Sequence, residues 1–320
     1  PDVIGWLGEL VEREVIAPRE QGRFAGEDEY TFRHAIVREA AHAMLTDTDR
    51  QLGHRLAGEW LTKVGERDAA TLARHFERGG ESARAVSFYL RAAEQGLEGN
   101  DLEAALAMVD RGLSCGAQGE SRGLFHLIAA EAYRFKGEPA REQSAALSAM
   151  QLLPRGDTRW CIAAGQAAIA SGKLGDRTRL ESVARELIEL SGEGQASGRM
   201  VVAAARASIP LLLAGLRGPA EELLVHVNDH GDRVAWSDPG VSAWIHLARG
   251  THAAELGDPG NALLHMQDAA EKFEEAGDVR GACAQCSNIG WTSLEVGETE
   301  QAEVALRAGI LKATALGLAH

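Results

Sequence analysis

Ser242–Phe273, with the sequence SAWIHLARGTHAAELGDPGNALLHMQDAAEKF, is the stretch from which the fold is deduced. Apolar residues at three- and four-residue spacing flank the turn Gly257–Pro259, which predicts two amphipathic helices joined by a short connection. Gly250 precedes the turn glycine by seven residues, and Ala262 follows it by five. Small residues at these places allow two helices to pack with their backbones close together. The stretch therefore predicts a helical hairpin.

The same spacing recurs along the chain. Gly290 lies seven residues before the next predicted turn glycine, Gly297, and Ala302 lies five residues after it. Predicted turn glycines are separated by 38 to 40 residues in four intervals: Gly99 to Gly137, Gly137 to Gly175, Gly218 to Gly257 and Gly257 to Gly297. Recurrence at such a period predicts a solenoid of stacked helix pairs.

This frame resembles the tetratricopeptide repeat (TPR), although Arg249 and Ser293 stand where that pattern prefers Leu and Tyr. The resemblance implies an all-α, right-handed solenoid of TPR-like helix pairs over residues 68–320. Two local features modify this prediction. Pro210, inside a long apolar run, is predicted to kink or interrupt a helix. The segment HGDRVAWSDPG at 230–240 is predicted to be a loose connection between pairs.

Residues 1–67 show a different pattern. A short helix is predicted around Leu7–Val15, then a loop rich in glycine and charge, then one β-strand at Tyr30–Phe32. Helices follow at 35–45 and 50–61, and Thr48 is predicted to cap the second. Helix, loop and strand in this order are typical of the second half of a winged-helix domain. We therefore expect residues 1–45 to be the C-terminal part of such a domain and residues 46–67 to be a junction helix.

A more specific resemblance lies in YTFRHAIVREAAHAML at 30–45, followed by R-x-L-x-H-R-L-A-x-E-W-L at 50–61. Together they look like the junction between the winged-helix domain and the helical repeats of bacterial STAND-class signalling ATPases. Those regulators are often fused to serine/threonine kinase, adenylate cyclase or transcription-factor domains. The resemblance covers about the first hundred residues. Because the chain opens at Pro1 without an initiator Met, we expect it to be a fragment of a longer protein.

His34 lies in a segment similar to the Met-His-Asp-Leu-Val-Arg-Asp pattern of nucleotide-binding immune receptors, whose histidine touches the phosphates of bound nucleotide. The resemblance implies that His34 is a nucleotide-phosphate sensor in the full-length protein, with ATP or ADP as the cofactor there. Ala35 departs from the pattern, in which Asp follows the histidine. The alternative is that His34 only caps or packs its helix. No GxxxxGK[ST] loop occurs in the sequence, so no cofactor is expected for this segment alone.

Composition limits the partners and the compartment. The chain has 33 basic and 47 acidic residues and a net charge of −14, which disfavours nucleic acid as the partner of the repeats. No apolar run is long enough to cross a membrane. Four cysteines and no signal peptide favour a reducing, cytoplasmic location.

No catalytic or metal-binding pattern stands out. The sequence lacks the H-E-x-x-H and G-x-S-x-G motifs, so we expect that the chain is not an enzyme. Cys283 and Cys286 have the spacing of a redox pair or half a zinc site, but they lie within a predicted helix and are expected to pack. His226 and His230 lie one helical turn apart and are expected on a solvated face, since two ligands do not make a metal site.

Tryptophans are the most informative binding candidates. Trp236 and Trp244 are predicted to bind a protein or peptide on the concave face of the solenoid, where an amphipathic ring is a common anchor. Packing between repeats is the alternative for Trp244 and Trp291. These observations predict a non-catalytic interaction or sensor module that controls the nucleotide-dependent state of a multidomain ATPase or kinase. The alternative is a scaffold or oligomerisation segment without an effector.

Overall fold

The computed structural model describes residues 3–20, 22–24, 26–192, 197–235 and 237–316. This part of the chain contains sixteen α-helices and two short β-strands, which confirms the predicted all-α class. The elements are α1 (Val3–Glu12), β1 (Ile16–Pro18), β2 (Tyr30–Phe32), α2 (Ala35–Met44), α3 (Asp47–Lys63), α4 (Ala69–Arg78), α5 (Ser82–Glu98), α6 (Leu102–Ser114), α7 (Gly119–Lys136), α8 (Pro139–Leu152), α9 (Thr158–Leu174), α10 (Arg177–Gly192), α11 (Gly198–Leu213), α12 (Arg217–Ala235), α13 (Pro239–Glu255), α14 (Pro259–Glu275), α15 (Val279–Val296) and α16 (Thr299–Ala315).

Contacts between residues divide the chain into two compact units. Unit 1 comprises Pro1–Gly99 and Ala107–Ala117, and unit 2 comprises Asn100–Leu106 and Gln118–His320. One of the boundaries, between Leu106 and Ala107, therefore falls within α6. Each unit is considered by itself below.

In unit 1, a small β-hairpin follows α1 in place of the single predicted strand. β1 pairs antiparallel with β2, with Ile16 opposite Phe32. The predicted helix ends earlier than expected because Glu14 adopts a left-handed conformation, with φ of 56°, and the chain then turns into β1. The predicted cap at Thr48 is also wrong. Thr46 caps α3 instead, because its Oγ1 accepts a hydrogen bond from the Asp49 N–H at 3.2 Å.

The next helices of unit 1 differ strongly in burial. α2 has no buried residue, and its Ile36 and Met44 side chains are exposed. α3 packs on α4, and α4 packs on α5. Phe76 and Tyr89 are fully buried at these contacts. The apolar core of unit 1 therefore lies mainly in α4 and α5.

Unit 2 is built from five helix pairs: α7/α8, α9/α10, α11/α12, α13/α14 and α15/α16. Each pair also packs on the next, through α8 with α9, α10 with α11, α12 with α13 and α14 with α15. The turn of every pair holds a glycine with positive φ, a conformation that glycine adopts without steric cost. These glycines are Gly137, Gly175, Gly215, Gly257 and Gly297.

Two predicted turn glycines do not have this conformation. Gly99 has φ of −76°, and the following residue, Asn100, takes the left-handed position. Gly218 lies inside α12, while Gly215 occupies the turn. Asparagine is the residue other than glycine that most readily adopts this conformation, so a glycine-based count placed the turn one residue early.

Small residues hold the helices of a pair close together, as the repeat frame predicts. A Cβ added at Gly250 on α13 would lie 3.1 Å from Cβ of His265 on α14. Ala262 and Ala269 on α14 are fully buried. Any larger side chain at these places would separate α13 from α14. The spacing of the small residues in the sequence therefore reflects the close packing of these two helices.

Pro210 does not interrupt its helix. α11 continues for three residues beyond it, to Leu213. Because Pro210 is near the end of the helix, its missing N–H removes one hydrogen bond from the last turns only. The ring packs against α9, where a Cβ added at Gly172 would lie 2.3 Å from Cβ of Pro210.

The segment at 230–240 is not a loose connection over its whole length. α12 extends through it as far as Ala235. Gly231 lies inside this helix, and its Cα, which carries no side chain, packs against Ile245 on α13. A Cβ added at Gly231 would lie 3.2 Å from Cδ1 of Ile245. A glycine interpreted as a loop signal is therefore a helix packing site.

Candidate functional site

A cavity of about 360 Å³ lies within unit 2 and is lined mainly by the first helix of each of the five pairs. We call it the arginine cavity. Its lining residues include Arg134, Phe135, Ile169, Lys173, Arg206, Ile209, Trp244, Leu247, Phe273, Asp278, Arg280, Gln285 and Asn288. An adjacent cavity of about 230 Å³ shares Arg134, Arg206 and Trp244 with it.

Arg206 on α11 is the central charged residue of the arginine cavity. The residue is only 8% exposed, its Nε is buried without a hydrogen-bond partner, and its guanidinium donates no hydrogen bond to any described residue. The side chain passes over Gly165, whose missing Cβ leaves room for Cδ of the arginine, and ends 4.7 Å from the ring centroid of Trp244. Burial lowers the pKa of Arg206 to about 10, with Arg134 adding to the effect, so the group remains charged at neutral pH.

Arg134 and Arg280 place two more guanidinium groups at this cavity. Each lies over the ring of Phe135, at 4.2 and 4.4 Å from its centroid. Arg134 Nε and Arg280 Nη1 are buried without a hydrogen-bond partner. The existing partners are few: Arg134 lies 3.5 Å from Glu131, and Arg280 Nη2 donates to Asn100 Oδ1 at 2.9 Å. Several buried N–H donors therefore remain unused around one cavity.

The charge of the cavity is opposite to that of the chain. Its lining contains Arg134, Lys173, Arg206 and Arg280 but, among acidic residues, only Asp278, whereas the whole chain has 14 more acidic than basic residues. A buried carboxylate lies behind this lining, because Glu142 on α8 is 1% exposed and lies 3.7 Å from Lys173 Nζ. Burial raises the pKa of Glu142, and Lys173 opposes that rise. The arrangement is electrostatically suited to an anionic group.

Trp244 lies beside Arg206 in the cavity wall. It is half-buried, and its ring meets that of Phe273 edge to face at 5.4 Å. One face of the indole is covered by the Arg206 guanidinium. Trp244 therefore both packs between pairs and lines the cavity, so the two alternatives from the sequence are not exclusive.

Trp160 and Trp291 occupy environments different from that of Trp244. Trp236 lies outside the residues that the structure describes. Trp160 is 1% exposed and belongs to the core. Trp291 is 68% exposed, and its Nε1 donates to Glu295 Oε1 at 3.2 Å on the same helix. Trp291 does not pack between pairs as the alternative interpretation expected.

His34 lies at the N-terminus of α2 in unit 1. It is exposed, and its side chain makes no capping hydrogen bond. Its backbone carbonyl accepts hydrogen bonds from the N–H groups of Val37 and Arg38. His34 is thus the N-cap residue of α2 through its backbone alone, and its imidazole is accessible to solvent.

The remaining sequence candidates are structural. Cys283 and Cys286 are free thiols and are both buried, as expected for packing residues. His226 is also buried, at 5% exposure, so the predicted solvated face is wrong for this residue. Its ring lies 4.7 Å from that of His230, and burial lowers the pKa of His226. The two histidines belong to no group of three potential metal ligands in the described residues.

The arginine cavity was not predicted from the sequence, although one signal was present. Arg206 is the only charged residue in VVAAARASIPLLLAG, a run that is apolar on every side of the helix. A helix of this kind is usually buried, so its arginine must be buried as well. Such a residue is either paired or functional.

Known proteins resemble this chain in fold. No protein family and no curated protein was found to match the sequence. A solved structure, the crystal structure of Rap protein complexed with competence and sporulation factor, aligns with a TM-score of 0.52 over 87% of this chain and 79% of that chain. Sequence identity is 15%, so the likeness shows the fold alone.

That structure is a TPR-like helical repeat. This chain has a TPR-like fold. The hairpin frame, the positive-φ turn glycines and the stacked pairs of unit 2 agree with it. Within the described residues, no helix of the TPR-like chain is long and apolar enough to cross a membrane.

Proposed function

We propose that this chain is a non-catalytic interaction module, in which unit 2 binds a peptide or protein that presents an acidic group to the arginine cavity. The observation that carries the proposal is Arg206 in the wall of that cavity: the residue is only 8% exposed, and its Nε is buried without a hydrogen-bond partner. A buried N–H group without a partner costs about 1–3 kcal/mol. A ligand carboxylate would supply the missing partner through charge-assisted hydrogen bonds.

The surroundings of Arg206 favour a peptide. The cavity combines cations with the aromatic and aliphatic side chains of Phe135, Trp244 and Leu247, which suits a chain of alternating polar and apolar groups. It is lined mainly by the first helices of successive pairs, so a peptide in it would contact several repeats at once. The Rap structure of similar fold is complexed with competence and sporulation factor, and we take a bound factor as the analogous role here.

We further propose that the module works within a bacterial STAND-class signalling ATPase or an associated kinase in the cytoplasm. The support is the sequence resemblance at residues 30–61 together with the exposed His34 at the start of α2. In that setting His34 would contact nucleotide phosphate, and binding in unit 2 would shift the balance between resting and active states. In the full-length protein, His34→Ala is expected to speed ADP release. An unchanged release rate would remove His34 from this role.

Peptide binding is tested with two pools of fluorescein-labelled octapeptides, identical except that one central position is Glu in one pool and Gln in the other. We expect the Glu pool to give the larger fluorescence polarisation change, and the difference to shrink as salt rises. Trp244→Ala should weaken binding of the Glu pool by about tenfold or more, because a half-buried aromatic side chain that lines the cavity is lost.

Trp291→Ala is the matched control, since Trp291 is exposed and does not line the cavity. It should bind as the wild type does, and circular dichroism should show both variants folded. Equal binding of the two pools would contradict an acidic ligand. Absence of binding by either pool, with folded protein, would contradict the peptide-binding function.

A second candidate function, oligomerisation, is favoured by one observation on α16. Val304 and Leu311 lie two turns apart on one face of this helix and are 69% and 71% exposed. If this face joins two copies, light scattering should give a mass above 34.1 kDa for the wild type, and Leu311→Glu should lower it to that of one chain. Leu256→Glu, at a 65% exposed position elsewhere, is the control. A wild-type protein that is monomeric at high concentration would eliminate this candidate.

A further inference from the structure

Three potential metal ligands meet on the hairpin α13/α14, outside the arginine cavity lining. They are His246 on α13 and His265 and Asp268 on α14, and their ligand atoms all lie within 4.8 Å of one another. The Nδ1 atoms of the two histidines are 3.1 Å apart. His246 Nδ1 lies 3.3 Å from Asp268 Oδ2. Within the described part of the chain, no other set of three such residues comes this close.

The repeat frame explains why these side chains converge. His246 precedes Gly250 by one helical turn on α13, and His265 follows Ala262 by three residues on α14. Gly250 brings the helices into contact at this level, since its absent Cβ faces Cβ of His265. Asp268 lies three residues after His265 and therefore on the same face of α14. Two rigid helices thus position all three groups.

The distances fit a tetrahedral ion. Two ligand atoms at about 2.1 Å from Zn²⁺ and at the tetrahedral angle are about 3.4 Å apart. The observed separations of 3.1 and 3.3 Å are close to this value. Asp268 is half exposed and His246 is 23% exposed, so solvent can reach the site and provide a fourth ligand.

The local charges also permit a cation. Arg249 and Lys272 are near His246, but each already has a partner. Arg249 donates to Asp232 at 2.9 Å and to Asn228 at 3.1 Å, and Lys272 donates to Glu275 at 2.7 Å. Asp268 remains as the carboxylate that faces the two imidazoles. Two imidazoles and one carboxylate are a donor set that zinc and related divalent metals prefer.

Unit 1 contains a natural comparison at the equivalent place of another hairpin. His54 and His75 also face each other, with Nδ1 atoms 3.3 Å apart, and Gly58 lies one turn after His54 as Gly250 does after His246. Arg78 lies three residues after His75, at the position that Asp268 occupies after His265. Arg74 and Arg78 line the small cavity at that pair. The same histidine geometry therefore occurs once with a carboxylate and once with cations.

We propose that His246, His265 and Asp268 bind a divalent transition metal, of which Zn²⁺ is the reference, and that the metal links α13 to α14. Both histidines coordinate through Nδ1, and Asp268 contributes one carboxylate oxygen. The ion replaces the hydrogen bond between the two imidazoles. Because it joins the two helices, it stabilises this hairpin against local unfolding.

The test uses the whole chain without an affinity tag, first treated with a chelator and then titrated with ZnCl₂ in a calorimeter. The wild type should bind one ion at this site, and its thermal unfolding midpoint should rise by several degrees. His265→Gln should remove the binding and the rise. Asp268→Arg introduces the arginine that Arg78 provides beside His54 and His75, and it should weaken zinc binding by at least about tenfold. His75→Gln is the matched control and should behave as the wild type.

Asp268→Asn provides a check against misfolding, because the residue is half exposed and the change is nearly isosteric. It should fold normally and still bind zinc at least about tenfold more weakly. A wild-type protein without a zinc-dependent midpoint shift would overturn the proposal. Zinc binding that is undiminished in His265→Gln would also overturn it, since the metal would then lie elsewhere, for example at the cysteines.

Discussion

Arg206→Met is expected to weaken binding of acidic peptides strongly and to leave the ligand-free protein more stable than the wild type. In the wild type the guanidinium is buried with an unpaired Nε, and no described residue accepts a hydrogen bond from it. Met retains most of the aliphatic stem that packs over Gly165 and Trp244, and it removes the buried charge. Replacing buried charge by an apolar side chain of similar volume is often neutral or stabilising. We expect a gain of about 1 kcal/mol in the free energy of unfolding.

Binding should change in the opposite direction. Loss of one partner of a desolvated charge pair costs about 2–5 kcal/mol, which corresponds to at least about 30-fold in affinity for the Glu-containing peptide pool. Fluorescence polarisation measures the affinity, and urea unfolding followed by circular dichroism measures the stability. A residue retained only for folding would not give opposite effects in the two measurements.

Arg185→Met is the control for Arg206→Met. Arg185 lies on α10, is exposed and does not line the cavity. Its replacement should leave peptide affinity within about twofold and stability within about 0.5 kcal/mol of the wild type. An Arg206→Met protein that binds the Glu pool as tightly as the wild type would contradict the assignment of Arg206. If Arg206→Met is instead much less stable than the wild type, the carboxylates of Glu142, Glu131 and Asp278 already compensate the charge of Arg206.

Gly172→Ala is expected to have the largest effect on stability. The added Cβ would lie 2.3 Å from Cβ of Pro210, and the proline ring cannot move without moving α11. Overpacking of a rigid contact typically costs about 1–3 kcal/mol, and we expect the free energy of unfolding to fall by about 3 kcal/mol. Since Pro210 lies one turn after Arg206, displacement of α11 should also weaken peptide binding.

Gly218→Ala is the matched control for this change. Gly218 is helical as well, but nothing lies within 4 Å of an added Cβ. The control should be neutral or slightly stabilising, by about 0.5 kcal/mol, since alanine has less conformational entropy to lose. Urea unfolding midpoints compare the two variants. If both variants unfold at the same urea concentration, the contact between α9 and α11 is looser than the structure shows.

Local features of the fold could be predicted well from the sequence. The small residues at Gly250 and Ala262 predicted the hairpin because close helix packing has a fixed spacing along the chain. The turn glycines Gly137, Gly175, Gly257 and Gly297 predicted the ends of first helices because few other residues adopt positive φ. Errors arose where a local signal had two meanings. Gly231 was taken for a loop residue, although it is a helix packing site.

The sequence by itself determined the helices, their turns and their repetition, because these depend on interactions between residues near each other in the chain. Only the tertiary structure decided the arginine cavity and the histidine cluster. Arg134, Arg206 and Arg280 come from three different pairs, and no local spacing connects them. His246 and His265 meet only because Gly250 lets α13 approach α14. Stacking of repeats specifies which distant side chains share an environment, and burial then decides which of them are left without partners.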